Sequence, residues 1–136
     1  MGNVYTYNPR KVTCALGNHV ASGFADDSFI SLEPLGDGTS AVTGADGEAI
    51  RSIDPNTLWT LKLTLLQNSP TNQYLNKQYK KDRNNGDGMF SVNVSDLLGK
   101  EKFVGSSAWV NKPAAWVRGK QQNNREWEIT VSGDFA

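Results

Sequence analysis

The chain has 136 residues and a mass of 14.9 kDa, and 14 Lys and Arg residues balance 14 Asp and Glu residues, for a formal net charge of +0. This length predicts one domain over residues 1–136 whose core needs no metal, and the single cysteine excludes an intramolecular disulfide. Zero net charge disfavours nonspecific binding to nucleic acid or to an anionic membrane as the main activity.

The N-terminal residues show no signal peptide, because a basic start, an apolar stretch and a small-residue cleavage site are all missing. We therefore expect the chain to fold in a cytoplasm. Alternating apolar residues predict a first strand at residues 12–16. Cys14 lies on its apolar face and is interpreted as a small buried hydrophobe. His19 follows Gly17 and Asn18 and is interpreted as a turn residue, so neither His19 nor Cys14 is expected to be catalytic.

Between residues 26 and 48 every ionisable side chain is acidic. A weak strand is predicted at residues 29–34. The glycine-rich stretch 36–47 that follows has few large apolar residues, so it is interpreted as a long projecting loop or hairpin. Such loops are uncommon in compact domains and are usually functional or ordered by a partner. Its glycines lack the spacing of a phosphate-binding loop.

Strict alternation predicts half-buried strands at residues 59–65, 90–95 and 127–132, and a weaker one at 103–110. The apolar run 61–66 contains a lysine and a threonine and is far shorter than the roughly 20 apolar residues that a bilayer requires, so no membrane span is predicted. The predicted fold class is mainly β, a small antiparallel β-sandwich or barrel with one flanking α-helix.

The helix is predicted from Ser69, a suitable N-cap, and Pro70, which suits the first helical position, to a stop near Arg83. The turn-forming residues 84–88 then return the chain to the next strand. The acids around this turn lack the ligand spacing of a calcium loop. We predict no metal site, no cofactor and no enzymatic activity.

Five segments, in order along the chain, resemble structural proteins of contractile-tailed bacteriophages. They are residues 23–34 (GFADDSFISLEP), 44–48 (GADGE), 64–72 (TLLQNSPTN), 108–113 (AWVNKP) and 125–129 (REWEI). The resemblance covers nearly the whole chain from Pro9 onward. It implies a tail tube protein, or a close relative at the ends of the tube.

Tail tube proteins look like small β-sandwiches or barrels, and they form hexameric rings whose inner strands join into one barrel and which stack into a tube. The resemblance therefore implies a component of the virion tail, assembled in the host cytoplasm. It implies as partners copies of the chain itself and the tail sheath, tape measure and baseplate proteins. DNA is expected to pass through the tube without specific binding.

Segregated opposite charges on a neutral chain suggest contacts between copies, although both charged segments are also compatible with solvated faces. Ring and subunit contacts are predicted at Asp37, Thr39, Ser40, Val42, Asp46, Glu48, Lys77, Lys80 and Lys81. The lumen is predicted to be lined by acids rather than by cations that would hold DNA. The lumen candidates are Asp26, Asp27, Glu33, Glu126 and Glu128.

Two alternatives remain open at this point. One is a tube protein of a contractile injection or secretion system, which shares the fold and differs in its cargo. The other is a monomeric β-sandwich binding module that uses Trp109, Trp116 and Trp127. Trp127 alternates with other apolar residues and is expected in the core, whereas Trp116 lies in a less regular segment and is the candidate for exposure.

Overall fold

A computed structural model describes residues 2–26 and 28–136 of the chain. Within these residues a helix, α1 (Pro70–Asn85), accompanies nine strands. The strands are β1 (Val12–Leu16), β2 (His19–Val20), β3 (Ile30–Pro34), β4 (Thr39–Thr43), β5 (Ala49–Ile53), β6 (Leu58–Leu65), β7 (Phe90–Asp96), β8 (Glu101–Lys112) and β9 (Arg125–Phe135).

Seven strands form one antiparallel sheet in the order β2-β1-β7-β8-β9-β6-β3. The segment from β2 to β3 joins the two edges of this sheet and passes the end of β6. There the N–H of Ala25 donates to the carbonyl of Thr64 at 3.0 Å, and the N–H of Leu66 donates to the carbonyl of Gly23 at 2.8 Å. Strands from both halves of the sheet therefore face one core, which confirms the predicted mainly β fold with one helix.

The core is built by alternate residues of the strands, because successive side chains of a strand point to opposite faces. The buried side chains include Cys14, Leu16, Leu61, Leu63, Leu65, Val92, Phe103, Trp127, Ile129 and Val131. Trp59, at the start of the alternating apolar residues of β6, is only half-buried. It lies toward the end of the sheet, where its ring meets the edges of Phe103 and Phe135 at centroid distances of 5.5 and 5.6 Å.

Helix α1 begins as predicted, with the Ser69 hydroxyl accepting the N–H of Thr71 at 3.2 Å and Pro70 in the first turn. It ends at Asn85, two residues beyond the predicted stop, where Gly86 adopts a φ of 71°. This left-handed conformation favours glycine and closes the helix by a backbone bond. The buried Leu75 places the helix over the core face of the sheet.

His19 lies in β2 rather than in the turn that precedes it, so its interpretation as a turn residue is wrong. Its ring stacks on Tyr74 with centroids 4.7 Å apart, and its Nε2 lies 2.8 Å from the hydroxyl of Thr71. The side chain therefore joins β2 to α1. No helix among the described residues has the length and apolar character that a membrane crossing requires.

Candidate assembly surfaces

The glycine-rich stretch forms a two-stranded hairpin of β4 and β5, which we call the acidic hairpin (residues 37–54). It carries four acidic side chains against one basic side chain, a net charge of −3. Every residue of its two strands is exposed. Val42 and Ile50 lie directly opposite each other in its register, and they are 71% and 74% exposed. The exposure of these two side chains shows that no other described element of the chain covers them. An isolated two-stranded hairpin is only marginally stable in water.

The tip and the base of the acidic hairpin are both closed by hydrogen bonds. At the tip, the N–H of Gly44 donates to the carbonyl of Glu48 at 2.7 Å, and Gly47 adopts a φ of 88°. At the base, the Asp54 carboxylate accepts the N–H of Asp37 at 2.8 Å and that of Asn56 at 3.0 Å. These two bonds favour the ionised form and lower the pKa of Asp54 below its ordinary value of 3.8.

Six of the nine predicted contact residues, all except the three lysines, lie on the acidic hairpin. Thr39, Ser40 and Val42 lie in β4, Asp46 and Glu48 lie in or beside the tip, and Asp37 lies at the base. Successive residues of β4 point to opposite faces, so Val42 shares its face with Ser40 and not with Thr39. The structure therefore brings these six residues onto one projecting element but divides them between its two sides.

Three of the lumen candidates lie on the face of the sheet opposite the core, which we call the outer face. Glu126 and Glu128 alternate with buried residues of β9, and Glu33 alternates with the core-facing Leu32 of β3. Lys62 of β6 lies in register beside Glu128 on this face. Hydroxyl side chains occupy the neighbouring register positions: Ser31, Thr60, Thr64 and Thr130. The outer face is therefore mixed in charge, because Lys112 also lies in register beside Glu128, Lys102 beside Ser95 and Asp134 beside Val104. Trp109 lies on the same face in register beside Thr130 and is half-buried.

The remaining lumen candidates belong to the segment that crosses from β2 to β3. Asp26 is exposed and lines a groove of about 650 Å³ together with Arg10 and Phe29. It does not share the outer face of β6 and β9. Asp27 lies outside the described residues.

The basic candidates Lys77, Lys80 and Lys81 are exposed on α1. Lys77 and Lys80 line a groove of about 490 Å³ with His19 and Tyr74. Because α1 covers the core face, these lysines and the acids of the outer face lie on opposite sides of the sheet. The structure therefore does not bring the two sets together within one subunit.

A further surface is formed by the connection from β8 to β9, which we call the Trp116 loop (residues 113–124). Trp116 is 66% exposed, which confirms its predicted exposure, and the adjacent Val117 is 52% exposed. Trp127 is fully buried in the core as predicted, and Trp109 is half-buried outside the core cluster. The guanidinium of Arg118 lies 4.2 Å from the centroid of the Trp116 ring, in cation–π geometry. The ionisable side chains of the loop are Arg118 and Lys120, so it is purely basic.

The Trp116 loop is held to the body of the protein by amide side chains. The N–H of Asn123 donates to the side-chain oxygen of Gln67 at 3.1 Å, and the N–H of Gln67 donates to that of Gln122 at 3.2 Å. Arg125 donates to the carbonyl of Ala114 at 3.1 Å. Sequence reasoning missed this loop as an assembly surface, although its unbroken positive charge was a signal for it.

The structure offers little catalytic chemistry among the residues it describes. No group of three or more His, Cys, Asp or Glu side chains in residues 2–26 and 28–136 could hold a metal ion. Burial raises the pKa of the Cys14 thiol to about 12, so the thiolate that would act as a nucleophile is scarce at neutral pH.

The chain is similar in sequence to a curated phage protein and in fold to a solved tail component. Structural protein ORF10 of Pseudomonas phage KPP10 is 30% identical over 140 residues, which span 96% of this chain and 80% of ORF10. The anti-feeding prophage cap, described as the AFP tube terminating cap and solved by cryo-EM, matches with a TM-score of 0.63. That match covers 98% of this chain and 91% of the cap chain at 12% identity, so it concerns the fold alone. No family model matches the sequence.

Proposed function

The chain belongs to the family of phage structural proteins that includes structural protein ORF10 of Pseudomonas phage KPP10, and from this premise we propose that it is a subunit of the phage tail tube. Copies form hexameric rings, and the rings stack into a tube that conducts DNA through a contractile tail. The action is mechanical and not enzymatic. As a phage structural protein, the chain is a component of the virion, and its place within the virion is the tail.

The observation that carries this proposal is the exposed acidic hairpin on a fold that a tube terminating cap shares. The hairpin exposes an opposed pair of branched apolar side chains, Val42 and Ile50, which a monomer leaves in water. Contact with another copy supplies the order and covers this pair.

The edges of the sheet support a closed ring. Within the described residues β3 has β6 as its sheet neighbour on one side and lies at an edge on the other, and β2 lies at the opposite edge. Unpaired edges on a monomer invite aggregation, whereas pairing between neighbours in a closed ring removes them. Six copies pair through these edges, and the outer faces of their sheets form one continuous surface.

That continuous surface is the wall of the lumen. Glu33, Glu126 and Glu128 supply its acids, and Ser31 and Thr64 supply hydroxyls, whereas the neighbouring Thr60 and Thr130 are buried. Each phosphate that a Lys or Arg side chain neutralised would hold the passing duplex. On this wall Lys62 and Lys112 each lie in register beside Glu128, whose negative charge offsets their attraction for DNA. The basic face of α1 then points to the exterior, toward the tail sheath. The tape measure and baseplate proteins contact the tube inside and at its end.

The test is the assembly state of the purified protein as a function of concentration, measured by light scattering and by negative-stain microscopy. We expect rings of six copies at low concentration and tubes at high concentration. A protein that remains monomeric at every accessible concentration would contradict the proposal and favour a monomeric binding module that uses the exposed Trp116.

A second candidate, a terminating cap of the tube, is favoured by the fold match to the prophage cap. A cap closes a tube that another protein builds, so its own rings do not extend into fibres. The same micrographs distinguish the two roles: stacked tubes indicate a tube subunit, and single rings that bind the end of a preformed tail tube indicate a cap.

A further inference from the structure

We infer that the Trp116 loop of one copy is the docking surface for the acidic hairpin of the next copy along the tube. This inference rests on the proposed function, because it names the partner surfaces through which stacked rings contact each other. Three independent features support it: position in the fold, charge and exposed apolar area.

The two surfaces emerge at opposite ends of the central strands. The register of β6 and β9 pairs Leu58 with Ser132 at one end and Leu65 with Arg125 at the other. The acidic hairpin leads directly into the start of β6, and therefore projects at the Leu58 end. The Trp116 loop leads directly into the start of β9, and therefore lies at the Leu65 end. Copies stacked in the same orientation along one axis consequently bring the hairpin of one against the loop of the next, which is a head-to-tail contact.

The charges of the two surfaces are complementary. The hairpin has a net charge of −3, with Asp46 and Glu48 near its tip. The loop has Arg118 and Lys120 and no acid. A single exposed ion pair stabilises little and is screened by salt, but six repeats around a ring add up, and complementary patches fix register and exclude wrong partners.

The apolar parts are complementary as well. Trp116 and Val117 are more than half exposed on the loop, and Val42 and Ile50 are exposed on the hairpin. Tryptophan and arginine are the residues that most often dominate binding energy at interfaces. Here the guanidinium stack on Trp116 and the amide bonds from Gln67 hold the platform in place before contact, which lowers the entropic cost of docking.

The lysines of α1 are the competing positive surface. Within the described chain the large exposed apolar side chains include none from residues 70–85, so the helix offers charge without an apolar platform. The helix therefore matches the charge of the hairpin but cannot cover Val42 and Ile50.

Disulfide crosslinking between two single variants tests this pairing. Ala45→Cys introduces a thiol at the hairpin tip, and Gly119→Cys introduces one between Arg118 and Lys120, where an added Cβ has only the Asn123 side chain nearby at 3.8 Å. The native Cys14 is buried and does not react. The control partner is Asn76→Cys on the exposed side of α1.

We expect oxidised dimers in the mixture of Ala45→Cys and Gly119→Cys, at least about tenfold more than in either variant alone or in the mixture of Ala45→Cys with Asn76→Cys. Tubes that form without this crosslink, or that crosslink hairpin to helix, would overturn the inference and leave the proposed function standing. Single rings without the crosslink would overturn it and favour a cap. A wild-type protein that never assembles would overturn the proposed function and this pairing together.

A second pair of variants tests the charge complementarity. Asp46→Lys with Glu48→Lys reverses the hairpin, and Arg118→Glu with Lys120→Glu reverses the loop. Each variant alone should raise the concentration needed for tube formation about tenfold or more, because like charges then face each other. Tubes should reappear when preformed rings of the two variants are mixed in equal amounts. Equal assembly of all four samples would contradict the electrostatic part of the inference.

Discussion

Asp54 is the side chain that closes the base of the acidic hairpin. Its carboxylate accepts the backbone N–H groups of Asp37 and Asn56, which lie on the two chain segments that enter and leave the hairpin base. A carboxylate that accepts backbone N–H bonds fixes a turn without any core contact. The orientation of this projecting element therefore depends on a charged residue and not on a hydrophobic one.

Replacing this carboxylate tests its role. Asp54→Ala should accelerate amide hydrogen exchange at Asp37 and Asn56 while leaving exchange in the core strands unchanged. Asp37→Ala is the matched control, because it removes the same charge from the hairpin base without removing the shared acceptor. Equal exchange rates in the two variants would show that the hairpin base does not depend on Asp54.

The lowered pKa of Asp54 gives this role a pH dependence. A carboxyl group whose folded pKa lies below its unfolded value stabilises the folded form above the unfolded pKa, and this contribution is lost as the pH falls through the folded pKa. The hairpin base should therefore remain ordered at pH 4 and above, and loosen only in more acidic solution. The NMR titration midpoint of Asp54, compared with the ordinary aspartate value of 3.8, measures the shift directly.

The stability of the sheet depends on the burial of its apolar side chains, and a substitution at Leu63 of β6 tests this. Its side chain is fully buried in the core cluster. Leu63→Ala should lower the free energy of unfolding by about 2–5 kcal/mol, because it removes transfer energy and leaves a cavity. Val42→Ala, on the exposed hairpin, should change it by less than about 0.5 kcal/mol. A loss below about 1 kcal/mol for the Leu63 variant would place that face outside the core.

The hairpin is expected to matter for assembly and not for folding. Replacing residues 39–53 by a tight Asn-Gly turn should leave the unfolding temperature of the ring-free protein almost unchanged, since every strand residue removed is exposed. The same change should abolish tubes while permitting rings, because the lateral edges β2 and β3 remain. Scattering and microscopy measure both outcomes. Tubes formed by the shortened protein would exclude the hairpin as the stacking element.

Local patterns predict those elements whose signals lie close together in sequence. The cap at Ser69 and the alternation in β6, β7 and β9 each lie within a few residues, so they are visible without the fold. Strand β8 gave a weaker pattern, because its register shifts between Gly105 and Ser107 and again between Val110 and Lys112. A β-bulge adds a residue and interrupts the alternation of faces, so the periodic signal breaks there.

The candidate surfaces also differ in how far the sequence predicts them, because a local pattern shows only residues that lie close together in the chain. The acidic hairpin is one contiguous segment, and its exposure follows from its glycine and polar composition. The Trp116 loop depends on the contacts of Gln67 with Gln122 and Asn123, more than 50 residues away in sequence, so no local pattern reveals that it is held in place. Glu33 of β3 shares a face with the acids of β9 because β6 pairs with both strands. The sequence does not specify this strand order.

At the scale of the whole molecule, the sheet separates two electrostatic environments. On its outer face the acids Glu33, Glu126 and Glu128 alternate with Lys62, Lys102 and Lys112, whereas its other face is covered by the helix that carries three exposed lysines. Zero net charge over the whole chain hides this separation. In the proposed ring, this separation distinguishes the inside from the outside, so the orientation of the subunit is testable through DNA binding.

Charge reversal on each side tests that orientation. Glu126→Lys adds a cation to the outer face, and Asp87→Lys makes the same change of charge just beyond α1, next to Gly88, which packs on that helix. Tubes of the Glu126 variant should retain short duplex DNA in co-sedimentation at low salt. Each phosphate neutralised adds about 0.9 to the slope of log affinity against log salt concentration. The new cation of the Asp87 variant faces the exterior, so its tubes should bind DNA only on their outer surface. Added DNase should digest that DNA. DNase-protected DNA in the Asp87 variant, with none in the Glu126 variant, would show that the helix lines the channel and would reverse the assigned orientation.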